Sequence, residues 1–135
     1  MYLLDTDVLS NLLRRDPSPT LVAKLASVPP EWQFTSSITL GELIYGAHRL
    51  QERTAALLRR LDESLLPNLP VLPFDAPAAR RYGELRADLE RRGTPIGDAD
   101  LRIASIALAR GLTVVTGNVR HFQLVPGLAV ENWLA

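Results

Sequence analysis

Residues 98–118 read DADLRIASIALARGLTVVTGN, and this stretch decides the fold. Leu101, Ile103, Ala104, Ile106, Ala107 and Leu108 surround most of a helix, so the helix is central to the molecule. Gly111 suits its C-terminal cap. The next five residues, LTVVT, are β-branched and apolar and read as a strand. Two carboxylates, Asp98 and Asp100, stand at the helix start, and the polar loop GNVRHF follows the strand.

Working outward, the same grammar recurs. MYLL at the N-terminus reads as a strand ending in Asp5, and DVLSNLLRR as a helix closing on two arginines that suit a helix C-terminus. LVAKLASV is a further short helix before Pro29 and Pro30. WQFTSSI predicts a second strand, and a helix begins at Thr39 with Leu40, Leu43, Ile44 and Ala47 on one face. TAALLRRLDESLL is an amphipathic helix, VLPF a short third strand, and Asp75 an N-cap for a helix running to Gly93. LAVEN is the last strand. Strands alternating with helices predict a three-layer α/β/α sandwich around a parallel sheet. At 135 residues the expectation is one domain over residues 1–135.

Composition narrows the chemistry. Fifteen basic and fifteen acidic side chains cancel, so contact with nucleic acid has to be local rather than carried by bulk charge. Fourteen of the basic residues are arginine, leaving Lys24 alone. The chain has no cysteine, which excludes disulfides, thiolate zinc sites and thiol catalysis. No stretch approaches the ~20 apolar residues of a membrane span, and Asp5 and Asp7 stand where a secretory signal would be basic and then apolar. The expectation is a cytoplasmic protein.

Ligands of an open parallel sheet sit beyond the carboxyl ends of its strands. Asp5, Glu42, Asp98, Asp100 and Asn118 all fall at such positions. Each has a plain structural reading. Asp5 can cap the following helix, Thr39 and Glu42 match a capping box, and Asp98 and Asp100 suit a helix dipole. Asn118 beside Gly117 can be a left-handed turn residue, and Asp7 a first-turn carboxylate facing solvent or the site edge. Together they read differently, because carboxylates gathered at one rim repel unless a cation neutralises them. Mg²⁺ and Mn²⁺ favour such oxygen ligands and keep waters for phosphate chemistry. His48 and His121 are too far apart in sequence, and lack thiol partners, to make a zinc site.

The segments LLDTDVLS, SSITLGELIYG, PIGDADLRIASIALARGLTVVTGNVRHF and PGLAVENW resemble the PIN-domain ribonucleases, and among them VapC, the toxin half of a toxin–antitoxin pair. The likeness spans about Tyr2 to Trp133. It implies a Mg²⁺-dependent endoribonuclease (Mn²⁺ being the other candidate ion), with Asp5 and Asp100 as main ligands and Glu42 assisting through metal or water. Asn118 takes a fourth position often held by aspartate, and Thr116 a hydroxyl usual in the family. Asp98 is an accessory ligand in this reading, and Arg120, His121 and Thr116 are RNA contacts. The partners implied are RNA, a VapB-like antitoxin and a second copy of the chain. Ala55, Leu58, Leu61 and Leu65 are the candidate docking face.

Two other readings compete. LLDTD also suits a haloacid-dehalogenase-type phosphatase with Asp5 as nucleophile and Asp7 as acid/base. Against it, Leu9 stands where that family prefers threonine or valine, and Lys24 lies far upstream of the late acids that a lysine should precede. A PIN-like interaction module without catalysis is the third reading; the intact Asp5, Glu42 and Asp100 argue against it.

Overall fold

The computed structural model describes residues 1–135. Five short strands, β1 (Tyr2–Leu4), β2 (Gln33–Ser36), β3 (Val71–Leu72), β4 (Thr113–Val115) and β5 (Val130–Glu131), form one sheet in the order β3-β2-β1-β4-β5. Every pairing is parallel, so each connection crosses over a face and leaves helices on both sides. The helices are α1 (Thr6–Leu12), α2 (Pro19–Ser27), α3 (Ser37–Arg49), α4 (Thr54–Arg60), α5 (Ala76–Arg91), α6 (Asp98–Arg110) and α7 (Val119–Phe122). The three-layer sandwich expected from the sequence is the observed fold.

Side-chain alternation along the central strands divides the core. Leu3 and Val114 point to one face, packing with Ile103, Ala104, Ile106, Ala107 and Phe122. Their neighbours Leu4 and Val115 point to the other, against Val8, Leu9, Leu21, Leu43 and Trp133. Both faces being covered, successive residues are buried, which is why these strands read as continuous apolar runs. Ile103, Ala104 and Ala107 are fully enclosed, so α6 is the central helix. Gly111 ends it with φ at +66°, and Leu112 N–H donates 2.8 Å back to Ala107 O. Gly111→Ala should lower stability by about 1 kcal/mol through that backbone conformation alone, since a Cβ there meets nothing. The midpoint of urea unfolding reads it.

Four boundaries differ from the sequence reading, each for a local reason. β2 stops at Ser36, whose hydroxyl accepts the Thr39 N–H at 3.1 Å, so α3 starts at Ser37 and not Thr39. Arg14 and Arg15 lie beyond the end of α1. GNVRHF contains the helical turn α7, anchored by buried Phe122. After Arg60 the chain widens into a π turn (Leu61–Leu65) and a 3₁₀ turn (Leu66–Asn68), which breaks the α-periodicity behind the expected docking face. Leu61 is in the core, Leu65 packs against the same cluster beside Leu4 and Leu9, Leu58 is half-buried and Ala55 is exposed.

Topology fixes where a ligand can bind. From β1 the chain builds outward to β2 and β3, then returns to the far side of β1 for β4 and β5. The direction reverses between β1 and β4, and the crevice at their carboxyl ends is the switch point of the sheet. Asp5 follows β1 and Thr116 follows β4 at that crevice.

Candidate active site

A cavity of about 540 Å³ opens at the switch point, lined by Asp5, Thr6, Asp7, Ser10, Asn11, Arg14, Glu42, Asp100 and Asn118, none of them hydrophobic. Asp5 occupies the N-cap position of α1, yet its side chain caps nothing. Its backbone is tied instead, with N–H donating 2.9 Å to Val115 O and its carbonyl accepting from Leu9. The carboxylate is 4% exposed, and only Oδ2 has a partner, the Thr116 hydroxyl at 2.8 Å. Oδ1 is buried without any hydrogen bond. Burial, reinforced by the nearby charges of Asp7 and Asp100, raises the Asp5 carboxyl from 3.8 to about 7, despite the Thr116 hydroxyl bond and the nearby Thr6 backbone N–H, which favour the ionised form.

Asp100 enters from the first turn of α6. The side-chain amide of Asn118 donates 3.2 Å to its Oδ2, and the same Nδ2 lies 3.0 Å from His121 Nδ1. His121 Nδ1 is itself 3.6 Å from Asp100 Oδ2. A fourth acid in place of Asn118 would repel Asp100 at this distance, whereas the amide donates to it. Asn118 is no left-handed turn residue, its φ being −93°.

Glu42 lies in the second turn of α3 because the helix begins before Thr39. It is no capping-box partner. Its Oε1 accepts from the Thr6 hydroxyl at 2.6 Å, and Thr6 Oγ1 is also 3.2 Å from the Thr39 hydroxyl. Thr6, between the two aspartates of LLDTD, thus aims a carboxylate carried by another helix.

Two expected site residues are elsewhere engaged. The Asp98 carboxylate accepts from the Tyr82 hydroxyl and from Arg102 Nε at 2.7 Å, and these bonds hold it below its ordinary carboxylate range. It lines a different cavity, with Arg86 and Leu89, so it is not an accessory ligand. Thr116 is fully buried between Asp5 and Asp7 and cannot touch RNA. Arg120 and His121 are exposed, and His121 Nδ1 lies beside the Asn118 amide and Asp100. Sequence reasoning passed over Ser10, Asn11 and Arg14, although Asp7, Ser10, Asn11 and Arg14 at i, i+3, i+4 and i+7 make one polar stripe. Asn11 is structural, its Oδ1 accepting from Ser18 N–H at 2.8 Å. Arg14 is the only basic side chain lining the cavity.

The donors suit a hard divalent cation. A buried carboxylate oxygen without a partner, flanked by further carboxylates in an all-polar cavity, is what such an ion satisfies. No three carboxylates converge into a ready-made cage. That matches an ion held by one or two carboxylates that keeps several waters.

The PIN domain family model matches residues 2–128. The tRNA(fMet)-specific endonuclease VapC of Salmonella typhimurium is 38% identical over 134 residues, covering 98% of this chain and 97% of that one. Ribonuclease VapC2 of Rickettsia felis is 36% identical over 98% of both chains. Among solved structures, FitAcB from Neisseria gonorrhoeae superposes with a TM-score of 0.90 at 37% identity over 98% of each chain. DNA-bound VapBC from Salmonella typhimurium gives 0.88 at 37% identity, over 98% of this chain and 97% of that one. With its Asp5, Glu42 and Asp100 at the switch point of the sheet, the chain belongs to the PIN-domain family and is of the VapC type.

Proposed function

We propose that the chain is a divalent-metal-dependent endoribonuclease of the cytoplasm and the toxin of a VapBC-type pair. The observation that carries this reading is the buried Asp5, which lines a cavity shared with Asp100 and Glu42 and whose Oδ1 has no hydrogen-bond partner. Asp5 and Asp100 would hold Mg²⁺ or Mn²⁺. When bound, the ion acidifies water and offsets charge on the phosphoryl oxygens. Glu42, fixed by Thr6, orients the attacking water and takes its proton. The phosphorus–oxygen bond to one side of the phosphodiester breaks, and the departing oxygen is protonated from solvent. Asn118 keeps Asp100 in place through its amide. The names of the relatives make initiator tRNA the first RNA to test.

Arg14, with Arg120 and His121 on the rim, is proposed to contact RNA phosphates. Arg14→Ala, made in the inactive Asp100→Asn background, should weaken binding of a single-stranded RNA. It should also reduce the slope of log affinity against log salt by about 0.7, the value for one lost phosphate contact. Fluorescence anisotropy across a salt series measures both, and an unchanged slope removes Arg14 from the RNA path.

An apolar groove of about 280 Å³ adjoins the site, lined by Leu13, Leu43, Leu50, Leu57 and Leu61 and sharing Ser10, Arg14 and Glu42 with it. It shares Leu61 with the expected docking face and is the seat proposed for a VapB-like antitoxin segment, which there would cover the carboxylates. The complex should co-elute from size-exclusion chromatography, built on a toxin homodimer, and be inactive. The function itself is tested by incubating the purified chain with RNA in Mg²⁺ and in chelator, alongside a phosphomonoester. Metal-dependent RNA cleavage supports the reading; turnover of the phosphomonoester alone would favour the phosphatase.

A further inference from the structure

Four carboxylates line the cavity, but Asp7 differs from the other three in what its oxygens do. Its Oδ2 accepts the Gly117 N–H at 2.8 Å, and its Oδ1 is 3.4 Å from the Thr116 hydroxyl. A side chain at residue 117 would have to displace the Asp7 carboxylate. A Cβ on Gly117 would meet Asp7 Oδ2 at 2.7 Å and Leu134 Cδ1 at 3.0 Å. The positive-φ glycines are 93, 111 and 127, so Gly117 answers to this contact and not to a left-handed backbone. The turn so held carries two site contacts. Thr116 donates to Asp5 Oδ2 and accepts the Asn118 N–H at 2.9 Å, and the Asn118 amide donates to Asp100.

We propose that Asp7 is a positioning residue: its carboxylate latches the turn after β4 to the head of α1, and through Thr116 and Asn118 sets the spacing of Asp5 and Asp100. The inference rests on the metal-dependent reading of the site. A latch needs an acceptor of the right size; a metal ligand needs the charge. Asparagine separates the two, because its amide oxygen can take the Gly117 N–H while its NH₂ faces the Thr116 oxygen.

The test uses the full chain without RNA, so its failure is distinct from failure of the ribonuclease reading. Mn²⁺ affinity is measured by calorimetry, and exchange of the Gly117 amide by NMR, for Asp7→Asn, Asp7→Ala, Gly117→Ala and the Asp7→Ala/Gly117→Ala pair. Asp7→Ala should weaken Mn²⁺ binding about tenfold or more, as loss of a group that orients ligands does, and should speed Gly117 exchange. Asp7→Asn should stay within about threefold of the parent in affinity and retain the slow exchange. Gly117→Ala, which displaces the carboxylate, should match Asp7→Ala, and the double variant should be no worse than either single one. Equal loss of Mn²⁺ affinity in Asp7→Asn and Asp7→Ala would make Asp7 a ligand and overturn the latch. So would Asp7→Ala with parental affinity and exchange. If Asp7→Ala does not fold, Asp7→Asn against Gly117→Ala decides by the same measurements.

Discussion

Asp5→Asn should abolish RNA cleavage and, in chelator at pH 8, make the chain harder to unfold. The Asp5 carboxyl of the folded chain titrates near 7, against 3.8 ordinarily, because it is buried. Between those values the folded state binds the additional proton, so stability falls as pH rises. The sign is opposite to that of a salt-bridged aspartate. Below about pH 4 the carboxyl is protonated in both states and imposes no penalty. Above about pH 7 it is ionised in both, and the folded state bears the full cost of a buried charge. That cost is about 4 kcal/mol as an upper limit. Asparagine carries no charge, so the gap between variant and parent should open from pH 4 to pH 7 and level off above. Urea unfolding in chelator at pH 5 and pH 8 measures this; parallel curves for the two proteins would contradict it. Saturating Mg²⁺ should then stabilise the parent, by about 2.7 kcal/mol at a hundred times its dissociation constant, and leave the variant unmoved.

The second large effect is at Asp100. Asp100→Asn should lower kcat for RNA by at least about a thousandfold, the scale on which loss of one placed electrostatic group acts. The fold should survive, because the Asp100 side chain is a quarter exposed and its one hydrogen-bond donor is the Asn118 amide. Asp98→Asn, two residues away, should leave cleavage at the parental rate, since that carboxylate faces Tyr82 and Arg102. The pair is a sharp comparison: both acids lie in the first turn of α6, and only one reaches the cavity. Single-turnover kinetics on the same RNA, with circular dichroism as a folding control, read the difference. Equal losses in the two variants would count against the assigned roles.

What could be read from the sequence follows from how local each signal is. The apolar run of α6, Gly111 and the strand after it are legible because burial on all sides leaves its mark in consecutive residues. Asp5, Glu42, Asp100 and Asn118 were found because strand ends in a parallel sheet face one rim, and the cavity does collect all four. The misreadings share a cause. Asp98 satisfies every positional rule for a ligand, but i and i+2 point apart on a helix, and its partners come from α5 and the exposed face of α6. The β2–α3 boundary depends on which of Thr35, Ser36, Ser37 and Thr39 caps the helix, and the cap is Ser36 where the sequence points equally to Thr39. The π turn at Leu61–Leu65 rotates every later side chain off an α-helical count, so no periodicity could locate that face. Thr6 holding Glu42 and Asp7 holding Gly117 join residues 36 and 110 positions apart, and only the folded chain shows them.

The most direct test of the account is the chemistry at the cut end of the RNA. Attack by water leaves the ribose 2′-hydroxyl out of the reaction, whereas metal-independent ribonucleases that use it pass through a 2′,3′-cyclic phosphate. The measurement is cleavage of total RNA, and of a mapped target RNA carrying a 2′-deoxy sugar at the cut, by the purified chain in Mg²⁺ and in chelator. Cuts are expected in Mg²⁺ alone, with ends free of cyclic phosphate, persistence in the 2′-deoxy substrate and no product from Asp5→Asn. Cleavage that continues in chelator and yields cyclic phosphate ends would contradict it.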